Sequence, residues 1–510
     1  MPTSTTKKKS SRAAGVLLHP TSLPSPHGIG DLGEGAHRFI DWLVEAGVTR
    51  WQVLPLVPVG PGNSPYATPA ALAGHPLLVD LRGLAAAGLL THDALAAPDF
   101  PLDACDFTAV TSYKEERLAA AARALYEGRN PAWKAELETF VHESPWAREA
   151  ALFLALREAR GGSPWWTWEP ALRDREPQAL ALGAAKVAPE VDRHLARFFF
   201  FERQWRELRA YANARGVRII GDVPIYVDRD SVDVWQSREQ FRLDAQGAPE
   251  AVAGVPPDFF SKTGQLWGNP LYAWDRMAAD GHRWWVERLR RALAQVDFVR
   301  LDHFRGVSAY WEVPNDAPDA RPGRWVPGPG RSLFDDLKEQ LGALPLIAED
   351  LGVIDDAVEE LRDGLALPGM RILQFAFGED AAHPVLPHNH AARSVAYTAT
   401  HDNDTTLGWW QTTSEQIRDH ARRYLAVSGH DIVWDLIRAC FASVADLAVV
   451  PLQDVLCLDG RSRMNKPGTS EGNWGWRVRM PAFNHPLAMR LREYATLYGR
   501  APAEPAAGEV

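Results

Sequence analysis

Three carboxylates each close an apolar, strand-like run: Asp302 in VDFVRLDHFRG, Glu349 in LPLIAEDLG and Asp402 in SVAYTATHDNDTT. Apolar strands that end in acid groups are the pattern of the C-terminal rim of a parallel barrel, where such folds keep their chemistry. Glycoside transfer or hydrolysis is the chemistry that needs this set. A retaining mechanism uses one ionised carboxylate to attack the sugar carbon. A second, protonated carboxyl about 5–5.5 Å away gives its proton to the leaving oxygen. Asp302 stands two residues after Arg300 and three before Arg305, and nearby positive charge favours the ionised form that a nucleophile requires. Glu349 follows the apolar PLIA, a setting that keeps a carboxylic acid protonated. Asp402 is left to hold substrate hydroxyls or to steady positive charge as the bond breaks. Strand-end acids also serve simply to cap the next helix or to bind loop amides. Three on separate strands, each flanked by Arg, His or a second acid, favour the catalytic reading.

Positioning three such groups calls for a parallel sheet, and the apolar pattern supplies one. Strands are predicted at 15–20, 50–56, 218–224, 297–303, 345–350, 370–377, 394–400 and 446–453. Amphipathic helices lie between several of them. EGAHRFIDWLVEAG places Phe39, Ile40, Leu43 and Val44 on one face and stops at Gly47. Trp285, Leu289, Leu293 and Val296 recur at helical spacing before the fourth strand, and Asp355 can cap a helix carrying Val358, Leu361 and Leu365 after the fifth. Eight strand and helix alternations close into a (β/α)8 TIM barrel. The sequence stops soon after the eighth strand, so no C-terminal β-sandwich is expected.

Two stretches exceed a minimal barrel. Residues 82–205 read as mostly helical, and residues 228–280 as an irregular insertion rich in Gly, Pro and aromatics, the kind of long connection that forms lids or binding loops. A single catalytic domain over 13–500 is expected, between a leader at 1–12 and a tail at 501–510 that are too polar or too biased to order. Twenty tryptophans bear on the ligand, because flat rings cover the C–H faces of sugars. Trp285 and Trp434 fall on helix faces and belong to the core, whereas Trp267 in GQLWGNP and Tyr66 in NSPY sit among turn formers near the surface.

Charge and cysteine usage narrow the classes. A net charge of −10 without a dense Lys/Arg stripe argues against a nucleic-acid partner. No apolar run reaches the ~18 residues of a membrane span, and no apolar segment follows the basic start, which places the protein in the cytoplasm. Cys105, Cys440 and Cys457 have neither metal spacing nor an even count, as befits buried thiols in a reducing compartment. His303 and His401 adjoin rim acids, but metal-dependent barrel hydrolases begin with paired histidines on the first strand, and LLHPTS offers only His19. No metal or other cofactor is expected. A non-catalytic glucan-binding module would keep the aromatic residues but has no need of all three acids.

The segments LLHPTSLPSPHGIGDLG, WQVLPL, SPY, GDVPIYV, VAGVPPDFFSKTGQLWGNPLY, RLDHFRG, AEDLGV, LPGMRILQFAFG, THDNDTTLGWW and EGNWGWR closely resemble the amylomaltases, the bacterial 4-alpha-glucanotransferases or disproportionating enzymes of glycoside hydrolase family 77. The matches run in order from about Gly15 to about Arg479. The resemblance implies Asp302 as nucleophile, Glu349 as acid/base and Asp402 as transition-state stabiliser, with Arg300 and His401 beside them. It implies substrate contacts from Tyr66, His303, Asn465, Asn473 and Trp474. It also implies an active-site lid carrying Asp258, Phe260, Gln265 and Trp267. The implied reaction moves α-1,4-glucan segments from a maltooligosaccharide, amylose or starch donor to the 4-hydroxyl of an acceptor, and extends to cyclising long amylose. A retaining α-1,4-glucan hydrolase is the alternative, since both share the covalent intermediate and differ in whether water or sugar takes the acceptor site. The chain departs from the family pattern at Phe259, where Tyr is usual, at Lys262, and at His75, where Asn is usual.

Overall fold

The computed structural model describes residues 12–257 and 261–502. The predicted leader apart from Arg12, the tail from 503, and the lid positions Asp258, Phe259 and Phe260 lie outside the described residues.

Eight strands pair in parallel and close on themselves: β1 (Ala13–Leu17), β2 (Arg50–Gln52), β3 (Arg218–Val223), β4 (Phe298–Leu301), β5 (Leu346–Ala348), β6 (Gly369–Ile372), β7 (Ser394–Tyr397) and β8 (Leu447–Pro451). Their order around the barrel is their order along the chain, with β1 paired to both β2 and β8. Strands of this kind are covered on both faces, inside by one another and outside by helices, which is why they read as apolar runs rather than as alternations. Leu17, Ile220, Ile347, Met370, Ile372, Val395, Tyr397 and Val449 fill the interior. The (β/α)8 barrel expected from sequence is the fold observed.

All eight strands fall within or across their predicted windows, but several windows run too far at the C-terminal end. The sixth ends at Ile372 and continues as a turn over Leu373–Phe375, and the seventh ends at Tyr397 rather than at 400. At these points the chain leaves the ladder to build the rim. Helix Glu34–Glu45 buries Phe39, Ile40 and Leu43 as expected, but it buries Trp42 in place of Val44, which is 39% exposed. The helix also packs against helix His485–Leu497, and Trp42 reaches that side, its ring 6.0 Å from Phe483 and its Nε1 donating to the Asn484 carbonyl. Gly47 ends the turn with φ +68°, a left-handed conformation that suits glycine. Asp355 does cap helix Asp356–Gly364, accepting from the Val358 amide at 3.2 Å.

Between β2 and β3 the chain is helical, with long helices at Phe107–Tyr126, Pro131–Glu143, Pro145–Glu158 and Ala188–Ala214. The stretch expected to be irregular holds two strands, Ala251–Val255 and Gln265–Pro270. They join Ala309–Pro314 and Arg324–Pro327 in a four-stranded antiparallel sheet. Trp267 therefore sits on an edge strand, not in a loop, and is 37% exposed.

Candidate active site

Register brings the first charged groups together. Asp222 near the end of β3 is the parallel partner of Arg300 in β4, and the two side chains meet as a buried ion pair. Arg300 Nη1 lies 2.9 and 2.8 Å from the two Asp222 oxygens and 2.8 Å from Asp302 Oδ1. One buried guanidinium therefore joins a carboxylate with no exposed side-chain surface, Asp222, to one that is 26% open to the cleft, Asp302. Asp302 follows β4 directly and extends the ladder, its amide donating to the Val223 carbonyl at 3.0 Å.

The chain then turns sharply. His303 adopts a left-handed backbone with φ +50°, a conformation that costs a non-glycine residue energy and is concentrated at functional sites. The turn aims the His303 amide at Glu349, whose Oε2 accepts it at 2.7 Å while Oε1 accepts the Leu351 amide at 3.0 Å. Glu349 extends β5 in the same way as Asp302 extends β4, donating its own amide to the Leu301 carbonyl at 3.1 Å. Burial pushes the Glu349 carboxyl up to about 8, with the negative charges of Asp302 and Asp350 adding to the effect. Arg300 and the His303 amide oppose it without cancelling it. The site thus holds one acid that keeps its proton at neutral pH beside one bound to a guanidinium.

Asp402 lies in the loop after β7. It is deep in the cleft yet 43% of its side-chain surface is open. Burial works against its charge, but His401, with Nε2 3.3 Å from Oδ2, and the Asn465 amide, 2.6 Å from Oδ1, hold it well below the usual carboxylate range. Asn465 also donates its backbone amide to the His401 carbonyl, and Arg463 donates to the Asp402 carbonyl. Tyr66 stacks on His401 at 5.2 Å with an 11° tilt and donates its hydroxyl to Asp222 at 2.8 Å. Trp474, also left-handed at φ +66°, closes this aromatic wall 5.8 Å from Tyr66.

On the opposite side, Trp267 meets the His303 ring edge to face at 4.8 Å, and its Nε1 donates to Gln265 Oε1 at 3.2 Å. Burial brings the His303 imidazole down to about 4, so it is neutral in ordinary conditions. Asn473 instead closes the 466–473 turn, accepting the Lys466 amide and donating to the Thr469 carbonyl, both at 2.9 Å. The structure therefore gathers Tyr66, Gln265, Trp267, Arg300, Asp302, His303, Glu349, His401, Asp402, Asn465 and Trp474 around one cleft, with Asn473 shaping the turn behind Asn465. Asp222 is a site residue that the sequence argument does not single out, although GDVPIYV carries the same signature of a strand ending in an acid.

Among the described residues one group could hold a metal ion: His27, Asp31 and Asp80. The buried Lys114 ammonium acts on both carboxylates and already supplies a cation there. Neither His303 nor His401 belongs to such a group among the described residues.

Known proteins resemble this chain along nearly its whole length. A family model described as 4-alpha-glucanotransferase matches residues 18–482. The 4-alpha-glucanotransferase of Thermus thermophilus is 47% identical over 95% of this chain and 98% of its own length. The chloroplastic/amyloplastic 4-alpha-glucanotransferase of Arabidopsis thaliana is 46% identical over 96% of this chain and 86% of its own. Among solved structures, the amylomaltase of Streptococcus agalactiae in complex with acarbose superposes with a TM-score of 0.94. It is 38% identical, and the match covers 96% of this chain and all of that one.

Proposed function

The chain belongs to the 4-alpha-glucanotransferase family, glycoside hydrolase family 77, and from that premise we propose that Asp302, Glu349 and Asp402 divide a retaining double displacement among them. The protein is a 4-alpha-glucanotransferase acting on α-1,4-glucans. In the proposed first step the Asp302 carboxylate forms a bond to the anomeric carbon. The C–O bond to the leaving glucan breaks, and Glu349 transfers its proton to the departing oxygen. A glucosyl ester on Asp302 results. In the second step Glu349, now ionised, takes the proton of an acceptor 4-hydroxyl as that oxygen displaces Asp302, which restores both carboxyl groups. Asp402, held charged by His401 and Asn465, faces the positive charge that develops on the ring. The observation that carries this reading is the pairing of a buried Glu349, whose carboxyl burial pushes up to about 8, with an Asp302 bound to Arg300.

The proposed binding residues divide between two walls. Tyr66, His401 and Trp474 offer a stacked surface to one side of the sugar chain, and Trp267, with Gln265 and His303, offers an edge to the other. Asp258 and Phe260 belong to the same lid by sequence. A wall of this kind excludes water from the glycosyl-enzyme and leaves the acceptor site to a sugar. The substrates are proposed to be maltooligosaccharides and amylose or starch, with cyclisation when one long chain supplies both donor and acceptor. A cytoplasmic setting accords with three free thiols, and no helix among the described residues is long and apolar enough to cross a membrane.

Incubation with maltotriose tests the reading. Glucose and a ladder of longer maltooligosaccharides should form while the number of reducing ends stays nearly constant, because transfer conserves glycosidic bonds. A steep rise in reducing ends with no longer products would identify a hydrolase.

A further inference from the structure

Asp454 is a fully buried carboxylate whose hydrogen-bond partners among the described residues, Thr398 and Thr406, are not groups assigned to catalysis or binding. It stands in the single helical turn Leu452–Val455 that follows β8. Its Oδ2 accepts the hydroxyls of Thr398 at 2.6 Å and Thr406 at 2.7 Å, and its Oδ1 accepts the Thr406 amide at 2.7 Å. Thr398 is the first residue after β7, and Thr406 is the first residue of helix Thr406–Thr412; both are fully buried. The chain between them is the loop that carries His401 and Asp402. One carboxylate therefore ties the two stems of that loop to a third element, the end of β8.

The loop borders a small cavity lined by Leu17, Ala399, Thr400, His401, Asp404 and Met464. Its shape is held by polar ties: Thr400 donates its amide and hydroxyl to Asn403 Oδ1 at 2.9 and 2.8 Å, and the Gln374 amide reaches the Asp404 carbonyl at 2.9 Å. These ties shape the loop internally or hold one side of it, whereas the three bonds to Asp454 set the spacing of its two stems. Hydrogen bonds to a charged acceptor are the stronger kind, and buried ones have no water to replace them.

We propose that Asp454 is a positioning residue for the reaction: it fixes both stems of the Asp402 loop and so sets where the Asp402 carboxylate meets the developing charge. The proposal rests on the assignment of Asp402 to the transition state. Reacting groups displaced by about 1 Å lose about 10²-fold in rate. Asp454→Asn keeps the shape and the bond from the Thr406 amide but cannot accept both hydroxyls through one nitrogen. It should lower kcat for maltotriose disproportionation by about 10- to 100-fold and leave KM within about threefold, since a group that acts on the transition state changes kcat.

The decisive measurement is a double-mutant cycle with Asp402→Asn, using α-maltosyl fluoride as donor so that residual rates can be read. Asp454→Asn should cost its full factor in the wild-type background and less than about twofold in the Asp402→Asn background, because its effect passes through Asp402. Equal losses in both backgrounds, or a wild-type kcat in Asp454→Asn, would overturn the proposal while leaving the role of Asp402 intact. Wild-type activity in Asp402→Asn alone would instead overturn the assignment on which the proposal rests. Should Asp454→Asn fail to fold, Thr398→Val removes one donor only and is carried through the same cycle, with the same non-additivity required.

Discussion

Replacing Arg300 by methionine separates what the guanidinium does for the fold from what it does for the reaction. The side chain is 3% exposed and its Nη1 serves Asp222 and Asp302 together. Methionine keeps most of the length and removes the charge. Stranding one member of a buried ion pair costs about 3–5 kcal/mol. Most of that cost falls on Asp222, which has no exposed side-chain surface and, among the described residues, retains only the Tyr66 hydroxyl as a hydrogen-bonded side-chain partner. Asp302 opens to the cleft, so water takes up part of its loss, and its share appears in the reaction as a poorly placed nucleophile. A loss of about 3 kcal/mol in kcat/KM is about 10²-fold. The expected result for Arg300→Met is a denaturation midpoint lowered by an amount equivalent to about 3 kcal/mol and transfer from maltotriose reduced by 10²-fold or more. Adding Asp222→Asn removes the stranded charge. The double variant should regain most of the stability and none of the activity. If Arg300→Met keeps wild-type stability and a rate within threefold, or if the second substitution restores both properties, the division of roles at Arg300 is wrong.

Three further outcomes follow from the same geometry. Glu349→Gln should fail on maltotriose yet still react with a glycosyl fluoride, whose leaving group needs no proton; a normal rate on maltotriose would remove Glu349 as the acid. Because the folded-state pKa of Glu349 is raised to about 8, the site must hold back ionisation between the ordinary glutamate range and pH 8. The folded state binds more protons than the unfolded chain in that window, so this group's contribution to stability falls as pH rises through it. Transfer should accordingly decline on an alkaline limb near pH 8, and Glu349→Gln should be more stable than wild type above pH 8; an unchanged pH dependence of stability in the Gln variant would contradict the shift. Trp267→Ala, alone or with Phe260→Ala, should raise the ratio of hydrolysis to transfer, measured as reducing ends released per longer product formed, because removing the ring over His303 admits water at ~55 M to compete with a dilute acceptor. An unchanged ratio would show that the ring only packs the lid.

The barrel was legible because a parallel strand buried on both faces must be apolar throughout, as AAGVL and SVAY are, and because each of the three acids stands where such a run ends. The same signature belongs to Asp222 and Asp454, which the sequence reading passed over: an acid at a strand end looks alike whether it meets substrate, a guanidinium or two threonines, and only the fold tells these apart. The four-stranded sheet was missed because Ala251–Val255 pairs with Ala309–Pro314 across an intervening barrel strand and its helix, a contact no local pattern announces. Helical spacing alone puts Val44 on the buried face, but a second helix, distant in sequence, turns that face toward Trp42. The glycine neighbours of Trp267 suggest a loop, yet an edge strand tolerates the same composition.

The central claim is that Asp302 carries the sugar between donor and acceptor. Glu349→Gln enzyme treated with α-maltosyl fluoride in the absence of acceptor should accumulate the glycosyl ester, since the first step needs no proton and the second lacks its base. Mass spectrometry of the digested protein should then find one maltosyl unit on the peptide that contains Asp302, and its release should follow when azide, a nucleophile that needs no base, is added. A label on Asp222 or Asp402, or fluoride release with no covalent species in rapidly quenched samples, would contradict the account.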